Sequence, residues 1–131
     1  MYETEIPWRD PLDAFEATRG DRFAILFHGG AVDHAARWSF IAAAPESIVR
    51  GTENGVSGFE ALKAAFASRR RRPPAACGAP FAGGLAGFAG YEALRWREPS
   101  VAPPASPYSI PDFLFGEFSA IAAFDQAAGK S

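Results

Sequence analysis

The sequence predicts an α+β fold in which mostly antiparallel sheets pack with two main helices. Two observations favour this class: several short segments alternate apolar and polar residues with period two, and two other segments carry helix-start signals. The two kinds of segment do not alternate strictly along the chain, which favours antiparallel strands. For 131 residues, 48% of them hydrophobic, we expect a single domain over residues 1–131.

The first helix is predicted to begin just after Asp10. The Asp10 side chain suits the N-cap, and Pro11 suits the first helical position because an N–H there would have no helical partner. Leu12 and Phe15 are expected to form the buried side of this helix, and Gly20 is expected to end it.

The second helix is predicted to start at the capping box of residues 57–60 and to run to about residue 70. Phe59, Leu62 and Phe66 recur at helical spacing, so they are expected to form one buried stripe. Two prolines at positions 73–74 cannot continue the helix.

Five strands are predicted from period-two patterns and the turn residues that flank them. They cover residues 22–28, 37–43, 47–50, 84–91 and 114–125. In the last strand, Phe118, Ala120, Ala122 and Phe124 are expected to be buried. A turn is predicted at residues 54–55, a short helical turn at 91–97 and an extended Pro-rich loop at 99–111, whereas residues 126–131 carry no packing signal.

The segment 80–92 is apolar and contains glycine at four positions. Glycine within a strand costs conformational entropy and supplies no side chain to pack. We therefore expect this strand to lie where a second sheet or a flat ligand comes close to its backbone.

Composition and charge exclude several classes of protein. The net charge of −2 gives no sign of a nucleic-acid partner, and the single cysteine, Cys77, excludes an internal disulfide. The acidic N-terminus does not have the pattern of a signal peptide, and no apolar stretch reaches the ~18 residues of a membrane span. We expect a cytoplasmic protein that binds neither nucleic acid nor membrane.

The residues alone do not indicate a catalytic centre or a cofactor site. The spacing of His28, Asp33 and His34 matches no zinc pattern, and no cysteine is near them. The four arginines at 69–72 are interpreted as a solvated helix end. The glycines of segment 80–92 do not have the spacing of a dinucleotide-binding turn.

Four segments, in order, resemble the N-terminal region of the chorismate-utilising synthases, namely component I of aminodeoxychorismate synthase (para-aminobenzoate synthase) and of anthranilate synthase. They are residues 10–12, residues 26–29 with 37–40, residues 80–92, and Pro111-Asp112 leading into Phe124-Asp125. The third segment is the most specific. The resemblance covers nearly the whole chain and implies that the fold is part of the synthase fold.

The resemblance also implies where the chemistry takes place. In that family chorismate and Mg²⁺ bind to a larger C-terminal domain, which we expect to lie outside residues 1–131, so this chain is expected to be inactive alone. The parent enzyme, a transferase, would aminate chorismate with ammonia from a glutamine amidotransferase subunit, component II. Its product would be 4-amino-4-deoxychorismate, a precursor in folate biosynthesis.

In anthranilate synthases the corresponding region binds tryptophan as a feedback inhibitor, and a Leu-Leu-Glu-Ser strand end anchors it. The matching residues are 26–29, where Gly29 replaces the serine and removes a hydrogen bond. Residues 28–34 resemble the aminodeoxychorismate branch more closely. If a tryptophan-like ligand binds, the resemblance implies that the backbone of Gly29 and the segment of Ala36, Arg37, Trp38 and Ser39 line its pocket.

Two alternatives stay open at this point. The chain could be the tryptophan-sensing domain of an anthranilate synthase, or a free-standing module that binds a small molecule or a protein. Under the synthase interpretations, apolar surface is exposed where the C-terminal domain docks, so the isolated chain is expected to self-associate.

Overall fold

The computed structural model describes residues 3–30, 36–51, 56–67, 78–96, 98, 100–101 and 107–131. In chain order, its elements are α1 (Pro11–Glu16), β1 (Ala24–Phe27), β2 (Trp38–Ala43), β3 (Ser47–Arg50), α2 (Val56–Ala67), β4 (Gly84–Ala89), a 3₁₀ helix (Tyr91–Trp96), β5 (Phe113–Phe118) and β6 (Ala122–Asp125). The strands form two antiparallel three-stranded sheets, which confirms the predicted α+β class. Among the described residues, no helix combines the length and apolar character that crossing a bilayer requires.

The chain divides into two compact units. One consists of Met1–Glu46, Arg72–Gly84 and Phe118–Ser131, and the other of Ser47–Arg71 and Leu85–Glu117.

The first unit contains the sheet with strand order β1-β2-β6. Leu26 pairs with Ile41 and Phe27 with Phe40, while Phe40 also pairs with Ala123 of β6. Its core includes Phe40 and the buried Ala79, and Phe81 meets Phe40 edge-on with ring centroids 5.8 Å apart. Helix α1 contacts β2.

Helix α1 begins where the sequence predicts it, because the Asp10 carboxylate accepts the Leu12 N–H at 2.8 Å. It ends at Glu16, earlier than expected. The prediction that Leu12 is buried is wrong: 53% of Leu12 is exposed, and the buried residue of this helix is Pro11. In a helix of only six residues, a single residue can make the main contact with the sheet.

The second unit contains the sheet with strand order β3-β5-β4. Strand β3 has the predicted bounds, and Ile48 pairs with Gly116 of β5. Helix α2 begins one residue before the predicted capping box and contacts β3. Leu62 is buried as expected, but Phe66 is 57% exposed, so only part of the predicted stripe is buried.

The Gly-rich segment forms the predicted strand, β4. A Cβ on Gly87 would lie 2.0 Å from the carbonyl oxygen of Leu114 in β5, which no real side chain tolerates. The close neighbour at Gly87 is therefore a strand of the same sheet. At Gly84 the reason for glycine is different, because its φ of +126° is unfavourable for L-residues and no atom lies within 4 Å of a Cβ placed there.

The predicted strand over residues 114–125 is wrong as a single element. The chain leaves strand conformation after Phe118, and β5 and β6 belong to different sheets. Phe118 and Phe124 are buried as expected, whereas Ala120 is exposed. No glycine, proline or asparagine occurs at positions 119–121, so the period-two pattern continues through the break.

Residues 126–131, which carry no packing signal, are joined to the rest of the first unit by backbone hydrogen bonds. Asp125 and Lys130 form a β-bridge, and the Ile6 N–H donates to the carbonyl oxygen of Ser131 at 2.9 Å. The Gln126 N–H donates to the carbonyl oxygen of Arg37 at 2.9 Å. Backbone hydrogen bonds do not require apolar side chains, which explains why an apolar pattern does not reveal them.

Candidate functional site

The five residues predicted to line a ligand pocket lie together, where β1 ends and β2 begins. A Cβ on Gly29 would lie 2.3 Å from the carbonyl oxygen of Ala36 and 2.8 Å from that of Trp38. Both atoms belong to the backbone, so neither moves aside as the end of a flexible side chain would. Only glycine fits at position 29 without displacing the chain.

Ser39 is the centre of this site. Ser39 is fully buried, with 0% of its surface exposed to solvent. Its hydroxyl oxygen lies 3.1 Å from the Gly29 nitrogen, 3.1 Å from Nδ1 of His28 and 2.7 Å from Nε2 of Gln126. We refer to Ser39, His28, Gly29 and Gln126 as the Ser39 cluster.

The three hydrogen bonds use the full capacity of a serine hydroxyl, which has one proton to donate and two lone pairs. The Gly29 N–H donates to this oxygen, and Nε2 of the Gln126 amide donates to it as well. Nδ1 of His28 also lies within hydrogen-bond distance of the Ser39 oxygen, and its role as donor or acceptor depends on the tautomer of the ring. Because Ser39 is buried and its hydroxyl is saturated, the arrangement does not provide a serine nucleophile.

An ion pair between Arg37 and Asp125 lies at the other end of the site. Arg37 binds both carboxylate oxygens of Asp125, with Nε 2.9 Å from Oδ1 and a second, shorter contact from Nη2 to Oδ2. The Ala128 N–H also donates to Oδ1 of Asp125 at 3.1 Å. The hydrogen bond from Arg37 holds the pKa of Asp125 below its ordinary value, and the same bond raises the pKa of Arg37.

The two halves of this ion pair differ in exposure. The Arg37 side chain is 46% exposed, whereas the Asp125 side chain is only 8% exposed. The Arg37 guanidinium also lies 5.3 Å from the centroid of the Trp38 ring, which is a cation–π distance. Trp38 in turn stacks on Phe40, with centroids 6.1 Å apart and an interplanar angle of 15°. The site therefore combines an exposed positive charge with an aromatic surface.

The sequence patterns place no part of the pocket at Asp125 or Gln126, and they place His28 only within the family-like residues 26–29. Asp125 is not among the residues predicted to be buried in the last strand, but it is only 6% exposed. The available signal was charge. A buried aspartate at the end of an apolar strand needs a cation, and Arg37 is the first residue of the predicted strand 37–43.

Other suggested sites are weaker. Among the described residues, no three histidine, cysteine, aspartate or glutamate side chains are placed to hold a metal ion. Asp33, His34, Cys77 and the arginines at 69–72 lie outside the described residues, as does the predicted turn at 54–55. A cleft of about 380 Å³, lined by residues between Phe15 and Ala24, shares no residue with the Ser39 cluster.

No protein-family model matches the chain, and no curated protein matches it either.

Proposed function

We propose that the chain is the N-terminal scaffold domain of a cytoplasmic aminodeoxychorismate synthase component I. The longer enzyme would aminate chorismate to 4-amino-4-deoxychorismate, using ammonia from a glutamine amidotransferase subunit. The chorismate and Mg²⁺ sites of this proposal belong to a C-terminal domain, so this chain contributes structure rather than reacting groups.

One observation carries the proposal: segments that resemble the family in sequence meet each other in space. Within the second segment, Phe27 of β1 pairs with Phe40 of β2. Arg37 of the same segment binds Asp125, the end of the fourth segment. The Gly90 N–H of the third segment donates to the carbonyl oxygen of Asp112, the start of the fourth, at 2.7 Å. Motifs that are far apart in the chain thus support each other within each unit.

The geometry at Gly29 favours the aminodeoxychorismate branch over the tryptophan-sensing one. In the anthranilate synthase pattern, a serine at this position anchors tryptophan. Here the space that a side chain needs is taken by the carbonyl groups of Ala36 and Trp38. The Gly29 N–H is used as well, because it donates to Ser39.

Exposed apolar residues in the second unit support a docked catalytic domain. Tyr91 and Tyr108 are each 71% exposed, and Ile110 is 58% exposed. We propose that these side chains contribute to a surface that packs against the catalytic domain, since large contiguous apolar patches mark such surfaces. Self-association of the isolated chain stays a prediction that light scattering tests.

The test is to express the whole reading frame that encodes this chain and to supply the protein with chorismate, Mg²⁺ and ammonium. The proposal predicts 4-amino-4-deoxychorismate as the product, identified by chromatography and mass spectrometry. Formation of anthranilate, with inhibition by tryptophan, would assign the chain to the other branch. A reading frame without a chorismate-binding domain would favour the free-standing module.

A further inference from the structure

We propose that two copies of this chain exchange their C-terminal arms, defined as residues 122–131, so that β6 of each copy pairs with β2 of the other. The partner copy would then complete the Ser39 cluster, because Gln126 lies on the arm and Ser39 lies on β2. This inference does not depend on the proposed function. It rests on the connection between β5 and β6 and on the contacts that hold the arm.

The first observation is the short connection that precedes the arm. Strand β5 ends at Phe118, β6 begins at Ala122, and the two strands belong to different sheets. Positions 119–121 hold no glycine, proline or asparagine, and the period-two pattern runs through them from Phe118 to Phe124. The local sequence therefore suits one continuous strand as well as it suits the break. A short connection of this kind favours exchange, because the open form needs no turn there.

The second observation is where the arm makes its contacts. Residues 122–125 pair with residues 38–41 of β2. Arg37, which lies 88 positions before Asp125, binds its carboxylate. The Ile6 N–H donates to the carbonyl oxygen of Ser131 at 2.9 Å, and these two residues are 125 positions apart. All of these partners come from distant parts of the chain, so a second copy offers the same partners and exchange retains the contacts.

The third observation is the ion pair that fixes the register of the exchanged strand. The Asp125 side chain is only 8% exposed, and Arg37 binds both of its carboxylate oxygens. A buried carboxylate without its cation is strongly unfavourable, and a slip of one residue would turn Asp125 to the other face of the sheet. The arm must therefore rejoin Arg37, either of its own copy or of the partner. Two arms and two β2 strands satisfy each other in a closed dimer.

The oligomeric state is measured by light scattering on the full chain, after refolding from urea at several protein concentrations. The proposal predicts a species of twice the 14.0 kDa chain mass, whose fraction rises with concentration. Deleting residues 119–120 should increase that fraction, because one connecting residue leaves less room for the change of sheet, while removal of an even number keeps the alternation of side chains. Inserting Gly-Gly-Ser after Ala120 should weaken the dimer about tenfold or more, because the arm then returns to its own β2 more easily. A monomer at every concentration, a deletion variant that stays monomeric, or a dimer that the insertion does not weaken would overturn the proposal.

Disulfide trapping tests the exchanged strand directly and leaves the connection unchanged. In a Cys77→Ser background, a chain with Ile41→Cys is refolded together with a chain with Ala122→Cys, because these positions pair between β2 and β6. Opposite Cα atoms of antiparallel strands lie within the range of a disulfide. The matched control mixes Ile41→Cys with Leu26→Cys, which pair between β1 and β2 and are not exchanged.

The proposal predicts disulfide-linked pairs of chains in the first mixture and none in the control. No linked pairs in the first mixture, or equal amounts in both, would overturn the proposal. Neither experiment uses chorismate, so failure of the exchange and failure of the proposed function are distinguishable.

Discussion

Replacing Gly29 by alanine should destabilise the first unit by about 2–4 kcal/mol. The new Cβ would lie 2.3 Å and 2.8 Å from two backbone carbonyl oxygens, so the end of β1 must move away from the start of β2. Overpacking of this kind costs about 1–3 kcal/mol. The same movement stretches the bond from the Gly29 N–H to Ser39, and losing a hydrogen bond costs about 1 kcal/mol more.

The matched control is Gly20→Ala. No atom lies within 4 Å of a Cβ at Gly20, and its φ is not in the left-handed region. Alanine at such a position lowers the conformational entropy of the unfolded chain and is expected to stabilise the fold by about 0.4–1 kcal/mol. The two substitutions are chemically identical but should have opposite signs.

The assay is urea unfolding followed by tryptophan fluorescence in a Trp96→Phe background. The chain has three tryptophans, and Trp8 and Trp38 belong to the first unit, so the remaining signal reports on that unit. If Gly29→Ala is as stable as Gly20→Ala, the backbone at Gly29 does not lie as close to Ala36 and Trp38 as described. The geometry at Gly29 would then no longer favour the aminodeoxychorismate branch.

Three further predictions concern the Arg37–Asp125 ion pair, Ser39 and Gly87. Arg37 lowers the pKa of Asp125, so the pair stabilises the fold above the ordinary aspartate pKa of about 3.9, and this contribution is lost as the pH falls through the lowered pKa. The difference in unfolding free energy between the unmodified chain and Asp125→Asn, measured by urea titration, should therefore become smaller below about pH 4. A difference that does not change with pH would contradict the ion pair. Ser39→Ala should lower the free energy of unfolding by about 1–3 kcal/mol, because it leaves two donors of the cluster unpartnered. The control, Ser47→Ala at an exposed position, should change it by no more than about 0.5 kcal/mol. Equal effects of the two substitutions in thermal unfolding would argue against the cluster. Gly87→Ala should destabilise the second unit by about 1–3 kcal/mol, because its Cβ would meet the backbone of β5. Amide hydrogen-exchange rates in the β3-β5-β4 sheet that equal those of the unmodified chain would refute this.

Local signals in the sequence predicted local structure well. The cap at Asp10 and the strand Ser47–Arg50 depend on neighbouring residues, and both appear as expected. The break after Phe118 depends on which sheet each strand joins, so a period-two pattern could not reveal it. Burial in short helices is likewise decided by the partner, which explains why Leu12 is exposed.

The candidate site could be predicted only in part. The family resemblance groups Gly29 with residues 36–39, and Gly29 does lie against the backbone of Ala36 and Trp38. Their polar partners Asp125 and Gln126 lie 88 and 87 positions along the chain from Arg37 and Ser39. Pairing at that separation is set by strand order, which hydrophobic periodicity does not encode.

The proposed function is tested most directly by identifying the product that the protein encoded by the whole reading frame forms from chorismate and ammonium. We expect 4-amino-4-deoxychorismate to form at a rate that added tryptophan leaves unchanged. Anthranilate as the product, or chorismate recovered intact from a folded enzyme, would contradict the assignment of this chain to an aminodeoxychorismate synthase.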